Sequence, residues 1–183
     1  MNLVNVYEKV ITFLNSGNFK YILIGGMAAG IIGEPRATGD VDIDIILDKK
    51  DISDFLKKAK QTGFNFDEKA CIKRAKESGS FQLKIGDFHI DFIIASTDLE
   101  REAIKRKKVY KIHSVNSNLP TPEDLILLKV IPGRPKDIID AENITQRHTG
   151  KLDKKYLLGW SQKLSDEAED MRIYREVERL LKL

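Results

Sequence analysis

Apolar residues recur at Leu3, Val6, Tyr7, Val10, Ile11 and Leu14, and that spacing predicts a helix over about 3–16. The short run 21–24 is apolar throughout and stops at Gly25-Gly26, the pattern of a buried strand entering a tight turn, with a short helix over 27–32 beyond it. A second strand is expected over 41–47, and a charged amphipathic helix over 51–61 closed by Gly63. The plainest alternation lies in 80–94. Phe81, Leu83 and Ile85 take every second position, then Phe88, Ile90 and Phe92 do the same, and Gly86-Asp87 between them suits a two-residue type II′ hairpin. A helix over 98–107 and a strand over 109–115 follow.

From residue 119 the pattern turns helical. Thr121-Pro122-Glu123-Asp124 joins an N-cap hydroxyl, proline at the first helical position and an acid at the third. That helix should end at Pro132-Gly133, and Pro135 opens another. Two more are expected over about 153–164 and 167–182, the last with Met171, Tyr174, Val177 and Leu181 along one face. The expected fold is α+β: a mixed sheet flanked by helices over 1–118, then a helical C-terminal extension over 119–183 packed on it as one compact unit.

Composition narrows the class of protein. With 183 residues, 42% hydrophobic and 32% charged, the chain has enough apolar side chains for a proper core. The net charge of +3 is too small to argue for nucleic acid by itself. A single cysteine, Cys71, excludes an intramolecular disulfide framework and a cysteine-based zinc site. No apolar run is long enough to span a bilayer, and Asn2, Asn5 and Glu8 break the first apolar stretch where a signal peptide would need continuity. A soluble cytoplasmic protein with no membrane partner is expected.

The chemistry concentrates in residues 25–44. On a strand, Asp40, Asp42 and Asp44 share one face while Val41, Ile43 and Ile45 share the other. Two carboxylates brought to about 4 Å repel by roughly 4 kcal/mol at an effective dielectric near 20, so their convergence calls for a cation or a raised pKa. Oxygen donors without a neighbouring thiol favour Mg²⁺ or Mn²⁺. The plainer reading is a half-exposed strand. Gly25-Gly26, at the end of a strand and the start of a helix, offers backbone N–H groups to a phosphate, though turns use Gly-Gly routinely. Arg36 and Thr38 precede the acids and suit phosphate oxygens. Asp91, between Ile90 and Phe92, supplies a further acid on another strand.

These residues resemble the signature of the polymerase-β-like nucleotidyltransferase superfamily: Ile24-Gly25-Gly26, thirteen residues, then Asp40-Val41-Asp42-Ile43, with Ile90-Asp91-Phe92 as the third acid's strand. Arg36-x-Thr38-x-Asp40-x-Asp42 is similar, more narrowly, to the AbiEii-type branch, which includes toxins of toxin–antitoxin systems. Glu123-Asp124-Leu-Ile-Leu-Leu-Lys129 and Arg134-Pro-Lys136-Asp137-Ile-Ile-Asp140 agree with that branch. Asp42-Ile43-Asp44 also reads acid–apolar–acid, with fifteen intervening residues; the pair Asp40 and Asp42 puts Arg36 and Thr38 where the family has them, leaving Asp44 as a structural or supporting acid.

The resemblance implies transfer of a nucleoside monophosphate from a nucleoside triphosphate to a hydroxyl, with release of pyrophosphate. Asp40, Asp42 and Asp91 would bind the metals, Gly25 and Gly26 would cradle phosphates with Arg36 or Thr38, Lys129 would neutralise the triphosphate, and Asp137 would orient or deprotonate the acceptor. A solvated Lys129 and an Asp137 that merely favours a helix start are the plainer readings. The acceptor is a tRNA end, a protein or a small molecule such as an aminoglycoside, and a cognate antitoxin protein is a further partner the resemblance brings in; Trp160 and the apolar face of the last helix either pack on the body or form a homodimer contact. His89 shares a face with Asp91 and is either near the metals or a plain surface residue. The basic run Arg101, Lys105, Arg106, Lys107, Lys108 and Lys111 is an RNA contact or a solvated helix face. The competing expectation is a non-catalytic nucleotide- or RNA-binding module of the same fold. A metal-dependent nuclease would leave Gly25-Gly26 without a role.

Overall fold

The computed structural model describes residues 2–183. Helix α1 (Leu3–Ser16) starts where the Asn2 side chain accepts a hydrogen bond from the Asn5 N–H, and buries Val6, Val10, Ile11 and Leu14 along its apolar face. Strand β1 (Lys20–Leu23) leads into α2 (Gly25–Ile32), then β2 (Val41–Ile46), α3 (Ile52–Gln61), α4 (Glu68–Ser78), β3 (Ser80–Ile85), β4 (Phe88–Ile94) and α5 (Asp98–Arg106). A small hairpin, β5 (Lys108–Ile112) and β6 (Val115–Leu119), precedes four helices: α6 (Pro122–Val130), α7 (Pro135–Arg147), α8 (Lys154–Ala168) and α9 (Arg172–Leu180). Among the described residues no helix is long and apolar enough to cross a membrane.

The main sheet has the order β1-β2-β4-β3. Its central pair, β2 and β4, is parallel and the outer pairs are antiparallel, so the sheet is mixed. One face is apolar. Val41, Ile43, Ile45, Ile90 and Phe92 point into a core where Phe55 meets Phe13, Phe81 and Phe92 at ring-centroid distances of 5.3, 5.7 and 5.3 Å. The same core takes in Leu125 and Leu127 of α6, Ile144 of α7 and Val177 of α9. On the opposite face Ile22, Ala95, Ala103 and Ile104 form a smaller apolar cluster under α5, with Leu128 of α6 against it. The alternation of β2 puts Asp42 and Asp44 on this second face.

Besides the last two helices, whose break falls at 169–171 rather than at 165–166, the elements differ from the expectation in three places. Helix α2 begins at Gly25 itself rather than at residue 27. Helix α4 has no counterpart in the apolar pattern, because it fully buries only Cys71 and Ala75; its marks are the Asp67 cap, which accepts from Ala70 N–H at 3.0 Å, and Gly79 in the left-handed region at its end. The strand expected over 109–115 is a hairpin that turns at His113, and its second strand is polar. Buried Ser117 is hydrogen-bonded to the Tyr7 hydroxyl, and Asn15 Nδ2 donates to the Asn116 carbonyl at 2.8 Å, so α1 satisfies what the apolar core does not.

Candidate active site

Gly25 opens α2 with φ at +68°, a conformation glycine adopts without strain. A methyl group there would come within 1.8 Å of Asp42 Oδ2, so the carboxylate lies directly against the first turn of the helix. A methyl on Gly26 would meet Arg36 Nη2 at 2.8 Å and Thr38 Oγ1 at 3.0 Å. The two glycines let an acid, a cation and a hydroxyl close over a helix N-terminus, whose N–H groups favour an anion.

Parallel pairing brings the acids to one level. Asp42 of β2 stands in register with Asp91 of β4, and exposed Asp40 immediately precedes β2. Gln82 of β3 donates to Asp91 Oδ1 at 2.8 Å and fixes that side chain. Burial, then the Asp91 and Asp40 carboxylates, hold Asp42 above the usual carboxylate range, and Lys129 and Lys136 oppose the shift. Among the described residues no three acid, imidazole or thiol side chains converge tightly enough to share one ion. The donors are carboxylate oxygens, which suit Mg²⁺ or Mn²⁺, and the repulsion gathered on Asp42 is what a divalent cation relieves. By donor chemistry these residues fit such an ion.

The facing wall is a ladder of alternating charge. Lys129, buried on α6, donates to Asp137 Oδ1 at 3.0 Å and stands 2.8 Å from Asp140 Oδ2. Asp140 also accepts two bonds from Arg36, Nε to Oδ1 at 2.7 Å and Nη2 to Oδ2 at 2.9 Å, and Arg134 Nε donates to Asp137 Oδ2 at 2.5 Å. Burial alone would push both carboxyls up, but Arg134 and Lys129 hold Asp137 below the usual range, and Arg36 and Lys129 do the same for Asp140. Lys136 is exposed on the cleft wall with no ion-pair partner among the described residues.

Between these walls runs a cleft of about 570 Å³. Gly25, Gly26, Arg36, Thr38, Asp40, Asp42, Lys129 and Asp137 all line it. A family profile described as "Nucleotidyltransferase of unknown function (DUF6036)" matches residues 1–178. The chain belongs to this family. No curated protein sequence matches it. Three solved structures are similar in fold. The antibiotic-resistance factor ANT(2'')-Ia has a TM-score of 0.60 and 16% identity over 91% of this chain and 95% of its own. The lincomycin-bound lincosamide antibiotic adenylyltransferase LnuA has 0.57 and 13%, over 80% and 98%. JHP933 from Helicobacter pylori has 0.50 and 11%, over 97% and 90%. The mixed α+β fold is thus that of nucleotidyltransferases.

Within this nucleotidyltransferase, Asp91 reaches Asp42 through the sheet register but does not line the cleft. His89 lies one pleat further from it, opposite Lys84, also off the cleft wall. Of the basic run, Arg106 is engaged structurally: its Nε donates to Asp124 Oδ2 at 3.1 Å and its guanidinium stacks 3.9 Å from the Tyr156 ring. Sequence reasoning gave no role to Asp140 or Lys136. Asp140 falls three residues after Asp137, on the same face of a helix, and that spacing was the available signal. Asp44 lies at the cleft floor, 1% exposed, with Oδ1 bonded to nothing among the described residues. Burial, with Glu100 adding to it, pushes its carboxyl up to about 8.

Proposed function

We propose that this protein transfers a nucleoside monophosphate from a nucleoside triphosphate to an acceptor hydroxyl. The acceptor oxygen attacks the α-phosphorus, the bond to the β-phosphate oxygen breaks, pyrophosphate leaves, and the hydroxyl proton passes to water or a carboxylate. The reading is carried by one observation: the Asp42 carboxylate seated against Gly25, with Arg36 and Thr38 over Gly26, at the N-terminus of α2. That arrangement suits a triphosphate held from one side by backbone N–H groups and from the other by acids able to hold a cation.

Asp40, Asp42 and Asp91 are the residues that would hold Mg²⁺ or Mn²⁺. Such ions, when bound, neutralise charge on the phosphate oxygens and polarise the reacting phosphorus. Gly25 and Gly26 offer N–H donors, Thr38 a hydroxyl, and Arg36 a guanidinium already aimed by Asp140. Lys129 supports the wall through its two acids, and exposed Lys136 is the cation free to meet phosphate oxygens directly. Asp137 serves better to orient an acceptor than to deprotonate it, because a carboxylate with a lowered pKa and two cationic partners is a weak base.

One fold neighbour is named as a lincosamide antibiotic adenylyltransferase and was solved with lincomycin bound, and another is named as an antibiotic-resistance factor; both support a small-molecule acceptor over a tRNA end. A toxin's role, with a cognate antitoxin partner, rests on the motif resemblance. The test incubates the purified chain with each α-³²P-labelled nucleoside triphosphate and Mg²⁺ or Mn²⁺, with total RNA in one arm and lincomycin or kanamycin A in another. Label on an acceptor that vanishes with Asp42→Asn is the expected result. Nucleotide retained by the protein without transfer in any arm would favour the non-catalytic module, and neither transfer nor retention would refute the nucleotide site.

A further inference from the structure

Gln82, Asp91 and Asp42 stand in one row across β3, β4 and β2. Neighbouring strands lie about 4.8 Å apart, so Asp91 has a neutral amide on one side and a carboxylate on the other. An ionised carboxylate accepts and cannot donate, so the amide meets it with Nε2, which donates to Oδ1 at 2.8 Å. Oδ2 accepts from no protein group among the described residues. The backbone that carries the amide is itself held, because Cys71 Sγ of α4 donates to the Gln82 carbonyl at 3.3 Å.

The acids of the facing wall are held differently. Asp137 meets Lys129 and Arg134, and Asp140 meets Lys129 and Arg36, so the charge of each is answered within the protein. No cation takes Asp91. Lys84, one pleat along β3 from Gln82, is exposed and forms no ion pair among the described residues. An amide orients a carboxylate without neutralising it, and the acid keeps its whole charge for a ligand. A carboxylate with both oxygens free would also turn to escape the Asp42 charge beside it; with Oδ1 tied to β3, that rotation is stopped.

We infer that Gln82 is a positioning residue for the divalent cation: by occupying Oδ1 it reserves Oδ2 of Asp91, at full charge, as the oxygen that joins Asp42 in holding the ion. Outer partners of this kind typically carry a tenfold to hundredfold share of metal affinity. The inference deepens the transferase reading and rests on it for the presence of the ion.

The probe is Mn²⁺ alone, added to the full-length chain and followed by the electron paramagnetic resonance signal of the free ion, with circular dichroism to confirm the fold of each variant. Gln82→Met keeps the length of the side chain and removes the donor, and should weaken Mn²⁺ binding by about tenfold to a hundredfold. Gln82→Lys keeps a donor but answers the Asp91 charge, and should weaken binding as well. In an Asp91→Asn background Gln82→Met should cost nothing further, because it acts through Asp91. Variants that bind Mn²⁺ as wild type does, or a loss that repeats in full beside Asn at position 91, would overturn the role of Gln82 and leave the cation site standing. A wild type that takes up no Mn²⁺ would overturn the cation site and the inference with it.

Discussion

Arg36 and Asp140, 104 residues apart in the chain, are joined by two parallel hydrogen bonds of 2.7 and 2.9 Å. The pair fastens the loop before β2 to α7, and through Asp140 it reaches Lys129, so three separate segments share one electrostatic unit.

That unit predicts an uneven cost of losing lysines. Lys129→Met would leave the buried Asp137 and Asp140 carboxylates with only Arg134 and Arg36, and the loss of two charge-assisted contacts should destabilise the chain by about 2–3 kcal/mol. Lys57→Met removes an exposed pair with Asp54 and should cost under about 0.5 kcal/mol. Urea unfolding of the two variants beside wild type measures the difference, and equal midpoints would refute the ladder's role.

Asp44 predicts a pH dependence. Its carboxyl, at 3.8 ordinarily, is pushed up to about 8 in the folded chain. The folded state therefore holds a proton that the unfolded state releases, and stability falls as pH rises from about 4 to about 8. Asp44→Asn removes that loss. In metal-free buffer the variant should gain on wild type steadily between pH 5 and 8, reaching a few kcal/mol at most. An advantage that stays constant across that window would show Asp44 to be ionised throughout.

Gly25 and Gly79 offer a matched comparison, since both stand at φ +68°. Alanine at either position incurs left-handed strain of about 1–2 kcal/mol. Only at Gly25 does the new methyl strike a carboxylate, whereas Gly79 has open space around it. Gly25→Ala should reduce nucleotide transfer at least tenfold and Gly79→Ala should leave it unchanged, with the larger loss of thermal stability at Gly25, where the clash with Asp42 adds to the strain.

Asp42 predicts opposite effects on stability with and without metal. Its neighbours Asp91 and Asp40 repel it, so Asp42→Asn should melt at or above wild type in chelator. Saturating Mg²⁺ should raise the wild-type midpoint by mass action and leave Asp42→Asn nearly unmoved. Equal responses to Mg²⁺ would remove Asp42 from any cation site.

Much of this was legible in the order of residues. The alternation around Asp42 and Asp91 announced two strands with acids on one face, and the glycines announced a turn into a helix. Helix α4 escaped because Cys71 and Ala75 are too few to make a stripe, and β6 because Asn116, Ser117 and Asn118 are satisfied by α1 rather than by the core. The pairing of Arg36 with Asp140 was illegible for a different reason. Ion pairs between distant segments leave no periodic trace, and only the packing of α7 beside α2 brings the two together.

The parallel register of β2 and β4 has a further consequence, for the order of assembly. Between them the chain must make α3, α4 and β3, while β4 meets β3 through a tight local turn. The hairpin needs little loop closure and is expected to form first, and the long crossover that sets Asp42 beside Asp91 last. Repulsion between the two acids thus arises after the main folding barrier, where it speeds unfolding rather than slowing folding. On that order of assembly, neutralising the site's charge should lengthen the life of the folded chain and leave the rate at which it is made almost unchanged.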